Sequence, residues 1–155
     1  MANIYFHPDI DYQGIKDIEN KYTSIDKDYL INEASDYICK ILKKLVKKTD
    51  SILFICGPGH NGLDSLFTAH KLLVLKYNIS VFFTHKNIHS EYIKKFDLNN
   101  FIIHTYDACN SYTYIVDGIF GYGLNRKLDN NLIDLIEAIN QSSSKVISVD
   151  LPSGL

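Results

Sequence analysis

Several features of specialised protein classes are missing from this sequence of 155 residues. Its 16 Lys and Arg residues stand against 18 Asp and Glu residues, so a formal net charge of −2 leaves no basic excess for binding nucleic acid or membrane surfaces. No apolar run approaches the roughly 20 residues that cross a bilayer, and the first residues are not a basic segment followed by an apolar run, so we expect no secretion signal. Without repeats or low-complexity tracts, we expect residues 1–155 to form one domain.

The three cysteines are too few and too scattered for a disulfide framework. Cys39, Cys56 and Cys109 form no CxxC pair. His85 and His89 are four residues apart but no third ligand accompanies them, so we predict no zinc site there. Reduced thiols are typical of a reducing compartment, and we therefore expect a cytoplasmic protein.

Helical and strand-like spacings of apolar residues alternate along the chain. A long amphipathic helix is predicted over 28–48, with Ser24 or Asp26 as its cap, and a shorter helix over 12–21. Further elements follow, with helices over 64–76, 90–96 and 130–140 and strands over 51–56, 79–84, 101–104, 113–117 and 145–150. This alternation predicts an α/β fold, a three-layer αβα Rossmann-like domain with a mainly parallel sheet.

Three polar loops follow predicted strands, over 57–65, 117–127 and 150–155. Because the carboxyl ends of parallel strands meet at one edge of the sheet, we expect these loops to converge on a ligand. The first loop satisfies GxGxxG, whose glycines let the backbone approach a phosphate at a helix N-terminus. A glycine turn without a ligand is the alternative.

An ordinary dehydrogenase is disfavoured, because the next strand ends in Phe83-Thr84-His85-Lys86 without the acidic residue that holds the ribose. In the second loop, Arg126 and Lys127 are candidates for holding phosphate, or they belong to a solvated helix entry. In the third loop, Ser153 lacks the GxSxG elbow of a nucleophile, which leaves the roles of turn residue or oxygen ligand.

The three loops carry a family resemblance. The segments GPGHNGLD from Gly57, VDGIFGYGL from Val116 and VDLPSGL from Val149 resemble, in order, the three signatures of the YjeF N-terminal domain family. Asn32-Glu33-Ala34-Ser35 is similar to the family's early helix. The family comprises NAD(P)H-hydrate epimerases, alone or fused to an ADP-dependent dehydratase. These isomerases repair hydrated NADH and NADPH by interconverting the R and S forms at the ring carbon that bears the added hydroxyl.

The resemblance implies a set of site residues. Asn61, Asp117 and Ser153 match positions that bind a potassium ion, and their oxygens are hard ligands for a hard cation. Asp150, then Asp64, are the candidate general acid/base groups, with capping or ligand orientation as the alternative role. The residues that would line the hydrated nucleotide are His60, Asn61, Gly62, Leu63, Asp64, Gly121, Tyr122, Gly123, Leu124, Asn125, Arg126, Lys127 and Asp150.

Two departures from the family pattern affect these expectations. Leu63 and Ser65 stand where the family usually has glycines, and we expect each added Cβ to narrow the phosphate path. Family domains also continue beyond the third signature, so we expect a shortened member or a fragment. Its last strand, apolar over 146–149, would then be a sheet edge covered by a homodimer, by the N-terminal segment or by a natural continuation.

These departures leave a second class of function open. The alternative is a non-catalytic Rossmann-like module for nucleotide binding or protein interaction, the domain type of scaffold proteins such as the enhancer-of-decapping family. Binding of hydrated NADPH, compared with NADPH, ADP and AMP, distinguishes the two.

Overall fold

A computed structural model describes residues 26–106, 109, 111–121 and 128–153. In this part of the chain five parallel strands form one sheet in the order β3-β2-β1-β4-β5. The strands are β1 (Ser51–Cys56), β2 (Asn78–Phe83), β3 (Ile102–Ile103), β4 (Tyr114–Gly118) and β5 (Lys145–Ser148). The helices are α1 (Lys27–Leu45), α2 (His60–Val74), α3 (Ser90–Lys95) and α4 (Asn130–Gln141), with a 3-10 turn at Asn99–Phe101. The predicted α/β fold is confirmed; the helix predicted over 12–21 lies outside the described residues.

Strand β1 lies at the centre of the sheet and separates two hydrophobic cores. Because successive side chains of a strand point to opposite faces, Ile52 and Phe54 pack into the core that contains residues of α1 and α2. Leu53 and Ile55 pack into the opposite core, against residues of α4. All four side chains are fully buried, which is why the sequence of β1 is a continuous apolar run.

Helix α1 begins at a side-chain cap. The Asp26 carboxylate accepts a hydrogen bond from the Asp28 backbone N–H at 3.1 Å, so Asp26 is the cap, while Ser24 lies outside the described residues. The Tyr92 hydroxyl donates to the Asp28 carboxylate at 2.6 Å and ties α3 to the start of α1. This contact holds both helices beside the loop that follows β1.

Helix α2 starts four residues earlier than predicted, at His60 instead of Asp64. Glycine is a poor helix former, which is why Gly62 was assigned to the loop. In the structure Gly62 lies in the first helical turn and packs against the Gly57 carbonyl so closely that a side chain at position 62 would overlap it. The glycine is therefore required by a close approach rather than by a turn.

Strand β5 forms one edge of the sheet in the described part of the chain and ends at Ser148, two residues before the predicted end. Asp150 has a left-handed backbone with φ of 68°, which cannot continue a strand. Val146 and Ile147 are half-buried against the two cores. The three predicted ways of covering this edge stay predictions.

The cysteines and the helices bear on disulfides and membrane spans. Cys39 and Cys56 are buried free thiols, and burial raises the pKa of both. Among the helices that the structure describes, none is long and apolar enough to cross a membrane.

Ser65 generates a stability prediction. Its buried hydroxyl lies against Gly118 and has no hydrogen-bond partner. Ser65→Ala removes this unsatisfied group, so we expect the free energy of unfolding to rise by about 1 kcal/mol in urea denaturation. Ser35→Ala is the matched control, because the equally buried Ser35 hydroxyl donates to the Asn32 carbonyl at 2.9 Å. Equal changes in the two variants would contradict the assignment.

Candidate functional site

Asn61 joins the three loops that follow β1, β4 and β5. Its side-chain amide Nδ2 donates to the Phe120 carbonyl at 2.9 Å and to the Val149 carbonyl at 3.0 Å. The first turn of α2 is thereby fixed to the segments after β4 and β5. The predicted convergence of the three loops is confirmed.

Asp117, at the end of β4, holds the second and third loops together. Its carboxylate is buried and accepts hydrogen bonds from the Ser153 hydroxyl at 2.7 Å, the Ser153 N–H at 2.8 Å, the Ile119 N–H at 3.2 Å and the Ser148 hydroxyl at 3.3 Å. Burial raises the pKa of Asp117, and the hydrogen bonds from Ser153 oppose that rise. Ser153 also accepts from the Phe120 N–H at 3.2 Å. The roles of oxygen ligand and turn residue for Ser153 stay predictions.

Asp64 and Asp150 form an interacting pair of carboxylates. Asp64 is on α2 and half-buried, and that burial, followed by the negative charge of Asp150, raises the pKa of Asp64 to about 7. Asp150 is exposed, and its carboxylate packs against Gly121 so closely that any side chain at position 121 would overlap it. One member of the pair therefore holds a proton near neutral pH while the other is accessible to solvent.

A cleft of about 450 Å³ opens beside the N-terminal end of α2. Gly59, His60 and Leu63 line it from the loop and helix, and Lys27 and His89 line it from the start of α1 and the β2–α3 connection. Unpaired backbone N–H groups at a helix N-terminus favour anions. The cleft is open enough and polar enough for a phosphate group.

The expected narrowing of the phosphate path by Ser65 is wrong. Ser65 is fully buried and faces Gly118 in the sheet instead of the open side of the loop. Leu63 is 3% exposed and packs into the core, reaching the cleft only with its edge. Of the other predicted lining residues, Tyr122, Gly123, Leu124, Asn125, Arg126 and Lys127 lie outside the described residues.

The oxygen atoms of Asn61, Asp117 and Ser153 suit a monovalent cation by their chemistry. Because Nδ2 of Asn61 makes both of its hydrogen bonds, Oδ1 is the atom that remains to act as a ligand. Within the ranges that the structure covers, no three His, Cys, Asp or Glu side chains form a metal-binding group.

Two residues of the site were not found by sequence reasoning. Ser148 donates to Asp117 from the last position of β5, and His89 Nε2 lies 2.8 Å from the Gly57 carbonyl oxygen. Neither belongs to a motif. The sequence could have indicated Ser148, because a polar residue at the end of a predicted strand lies at the same sheet edge as the three loops. It contains no such indication for His89.

The model of the family described as YjeF-related protein N-terminus matches residues 27–155. The chain belongs to this family. The match begins at the first residue of α1 and includes all five strands and the Asp117 network.

Individual relatives share the same region. A bifunctional NAD(P)H-hydrate repair enzyme of Dictyoglomus turgidum is 32% identical over 89% of this chain and 29% of its own length. An NAD(P)H-hydrate epimerase of Entamoeba histolytica is 32% identical over 70% of this chain and 50% of its own length. The chain thus spans half or less of the length of these two relatives. The crystal structure of the yeast protein YNL200c superposes with a TM-score of 0.79 at 21% identity, covering 92% of this chain and 69% of the yeast chain, and shows the shared fold.

The raised pKa of Asp64 predicts how stability depends on pH. With a pKa of about 7, Asp64 keeps its proton in the folded protein up to about neutral pH, whereas the unfolded chain releases it near the ordinary aspartate pKa of 3.8. The folded state therefore binds more protons in this window, and the free energy of unfolding falls as the pH rises through it. The Asp64→Asn variant has no ionisable group at this position. Between pH 4 and pH 8, its free energy of unfolding in urea denaturation should rise relative to that of the wild type by on the order of 2 kcal/mol.

The control for this measurement is Asp97→Asn, because Asp97 is an exposed aspartate just after the C-terminal end of α3. Its stability should follow the pH dependence of the wild type. Parallel curves for Asp64→Asn and the wild type would show that Asp64 titrates normally in the folded protein.

Proposed function

We propose that this protein is an NAD(P)H-hydrate epimerase, an isomerase that interconverts the R and S hydrates of NADH and NADPH in nicotinamide nucleotide repair. The observation that carries the proposal is the junction of the three signature loops through Asn61, Asp117 and Ser153, beside which the chain places Asp64 and Asp150. Relatives named as epimerases and repair enzymes support the assignment. The pair lies where the three family signatures converge.

The chemistry needs one proton delivered and one removed. In the proposed step, protonated Asp64 gives its proton to the hydroxyl of the hydrated ring, and the carbon–oxygen bond breaks to release water while the ring nitrogen lone pair forms a carbon–nitrogen double bond. Water then adds to the opposite face of the same carbon, and its extra proton passes to a carboxylate of the pair. Atoms and charge balance over the cycle, and positioned acid/base groups of this kind accelerate proton transfer by roughly 10²–10⁴-fold.

Binding of the nucleotide phosphates is assigned to the cleft beside α2. The N-terminal amides of α2 attract anions, and the cleft wall carries one positive charge at Lys27 and one negative charge at Glu91. In this arrangement the phosphates lie on one side of the α2 N-terminus, and the reduced ring lies toward Asp64 and Asp150.

A potassium ion held by Asn61, Asp117 and Ser153 is part of the proposal. When bound, it supplies a positive charge beside the buried Asp117 carboxylate. The three protein groups come from the three loops, so they position the loops relative to one another. The expectations of a cytoplasmic location and of a homodimer stay predictions.

Replacement of Asp150 tests the catalytic assignment. Asp150→Asn keeps the size of the side chain but removes the accessible base, and we expect the epimerisation rate at saturating hydrated NADPH to fall by about 100-fold. Asp97→Asn is the matched control, because Asp97 is also exposed and also has a left-handed backbone, with φ of 52°. It should leave the rate unchanged.

A binding measurement and a turnover measurement together decide between the candidate functions. Wild-type protein that binds hydrated NADPH in a calorimetric titration but does not turn it over would favour the non-catalytic nucleotide-binding module. A turnover equal in Asp150→Asn and wild type would remove Asp150 from the mechanism.

The cation assignment is tested by comparing two variants of the Asp117 network. Asp117→Asn removes the negative charge, whereas Ser148→Ala removes one hydrogen bond to the same carboxylate and keeps the charge. We expect potassium chloride, compared with choline chloride at equal ionic strength, to raise the Tm of wild type and Ser148→Ala but not of Asp117→Asn. A potassium effect that is equal in all three proteins would contradict the assignment.

A further inference from the structure

His89 occupies an unusual position in the connection between β2 and α3. It is half-buried, has a left-handed backbone with φ of 54°, and precedes the first residue of α3. Its carbonyl accepts hydrogen bonds from the Tyr92 and Ile93 N–H groups, both at 3.0 Å. The main chain of His89 therefore starts α3, and the side chain is directed across the sheet edge toward the first loop.

The imidazole of His89 contacts the main chain of the glycine loop. Its Nε2 lies 2.8 Å from the Gly57 carbonyl oxygen. Because a carbonyl oxygen only accepts hydrogen bonds, Nε2 must carry the hydrogen. Burial and the nearby Lys27 charge lower the pKa of His89, whereas the bond to Gly57 raises it, and the net direction is downward. The ring is then the neutral tautomer with its hydrogen on Nε2.

The main chain of Gly57 contacts the main chains of two other segments of the site, the end of β4 with the residue after it and the first turn of α2. Its N–H donates to the Gly118 carbonyl at 3.0 Å, and its α-carbon packs against the Ile119 carbonyl. Its own carbonyl packs against Gly62 in the first turn of α2. Among the described residues, the side chain that hydrogen-bonds to the Gly57 carbonyl is His89. The direction of the following residues, Pro58 to His60, depends on how this peptide is held.

We infer that His89 is a positioning residue for the nucleotide site: by donating to the Gly57 carbonyl, it fixes the Pro58-Gly59-His60 turn and the N-terminus of α2 in the orientation that receives the phosphates. The inference rests on the proposed function for the identity of the ligand. It adds a fourth segment, the β2–α3 connection, to the three signature loops. The expected effect is on nucleotide affinity rather than on the acid/base step, because the His89 side chain bonds to the glycine loop.

The test compares two replacements of His89. In His89→Gln the side-chain amide can donate from a position close to that of Nε2, whereas His89→Leu cannot donate. Both residues are unbranched at Cβ, so both meet the same cost of the left-handed backbone. His85→Leu is the control, because His85 pairs with the neighbouring Thr84 hydroxyl at 2.8 Å and not with the glycine loop.

We expect His89→Leu to raise the Kd for hydrated NADPH about tenfold, the loss of one hydrogen bond's contribution, with kcat changed less than about threefold. His89→Gln should restore most of the affinity, and His85→Leu should match the wild type. In the protein without ligand, the amide signals of Gly59 and His60 should shift in His89→Leu and return in His89→Gln.

The inference would be overturned if His89→Leu had the same Kd for hydrated NADPH as the wild type and the same Gly59 and His60 amide signals. A fall in kcat with unchanged Kd would also overturn it. If the wild type does not bind hydrated NADPH, the proposed function fails, and the amide signals of the ligand-free protein still decide the role of His89. If His89→Leu does not fold, His89→Gly, which suits the left-handed backbone, takes its place.

Discussion

Asp117 accepts four hydrogen bonds inside the protein, two of them from Ser153. A buried carboxylate is costly unless such donors replace its lost water, so the end of β4 requires Ser148 and the Ser153 turn to approach it. That requirement brings the segment after β5 against the segment after β4. Asn61 then connects both segments to α2. The position of the carboxylate pair follows, because Asp64 and Asp150 each lie three residues from a member of this network.

The same packing places a buried environment next to a solvent-accessible one. On the sheet side, Ser65 and Asp117 are buried, and the main chains approach closely where Gly57 meets Gly62. On the open side, Asp150 and the cleft beside α2 are accessible. Asp64 lies between them, which is why burial and a neighbouring charge both act on its pKa. A site that must give and take protons at one carbon benefits from such a boundary.

Much of this fold was predictable from local spacing. The bounds of β1 were predicted correctly, because a strand buried on both faces leaves an unbroken apolar run. The start of α2 was not predicted correctly. Gly62 belongs to the helix because of its close contact with Gly57, and local sequence patterns do not show such a contact. The strand-end carboxylates and Ser153 were found from motifs and family resemblance. Their hydrogen bonds, and the contact of His89 with Gly57, depend on residues distant in sequence and needed the structure.

The central claim is that the three loops form one site in which the hydrated ring meets the Asp64–Asp150 pair. The most direct test is a crystal structure of this protein with hydrated NADPH, grown in potassium chloride. The account predicts the nucleotide phosphates beside the N-terminus of α2 and the hydroxyl-bearing carbon's substituent within hydrogen-bond distance of Asp64 or Asp150. A nucleotide bound with its ring away from both carboxylates would contradict it.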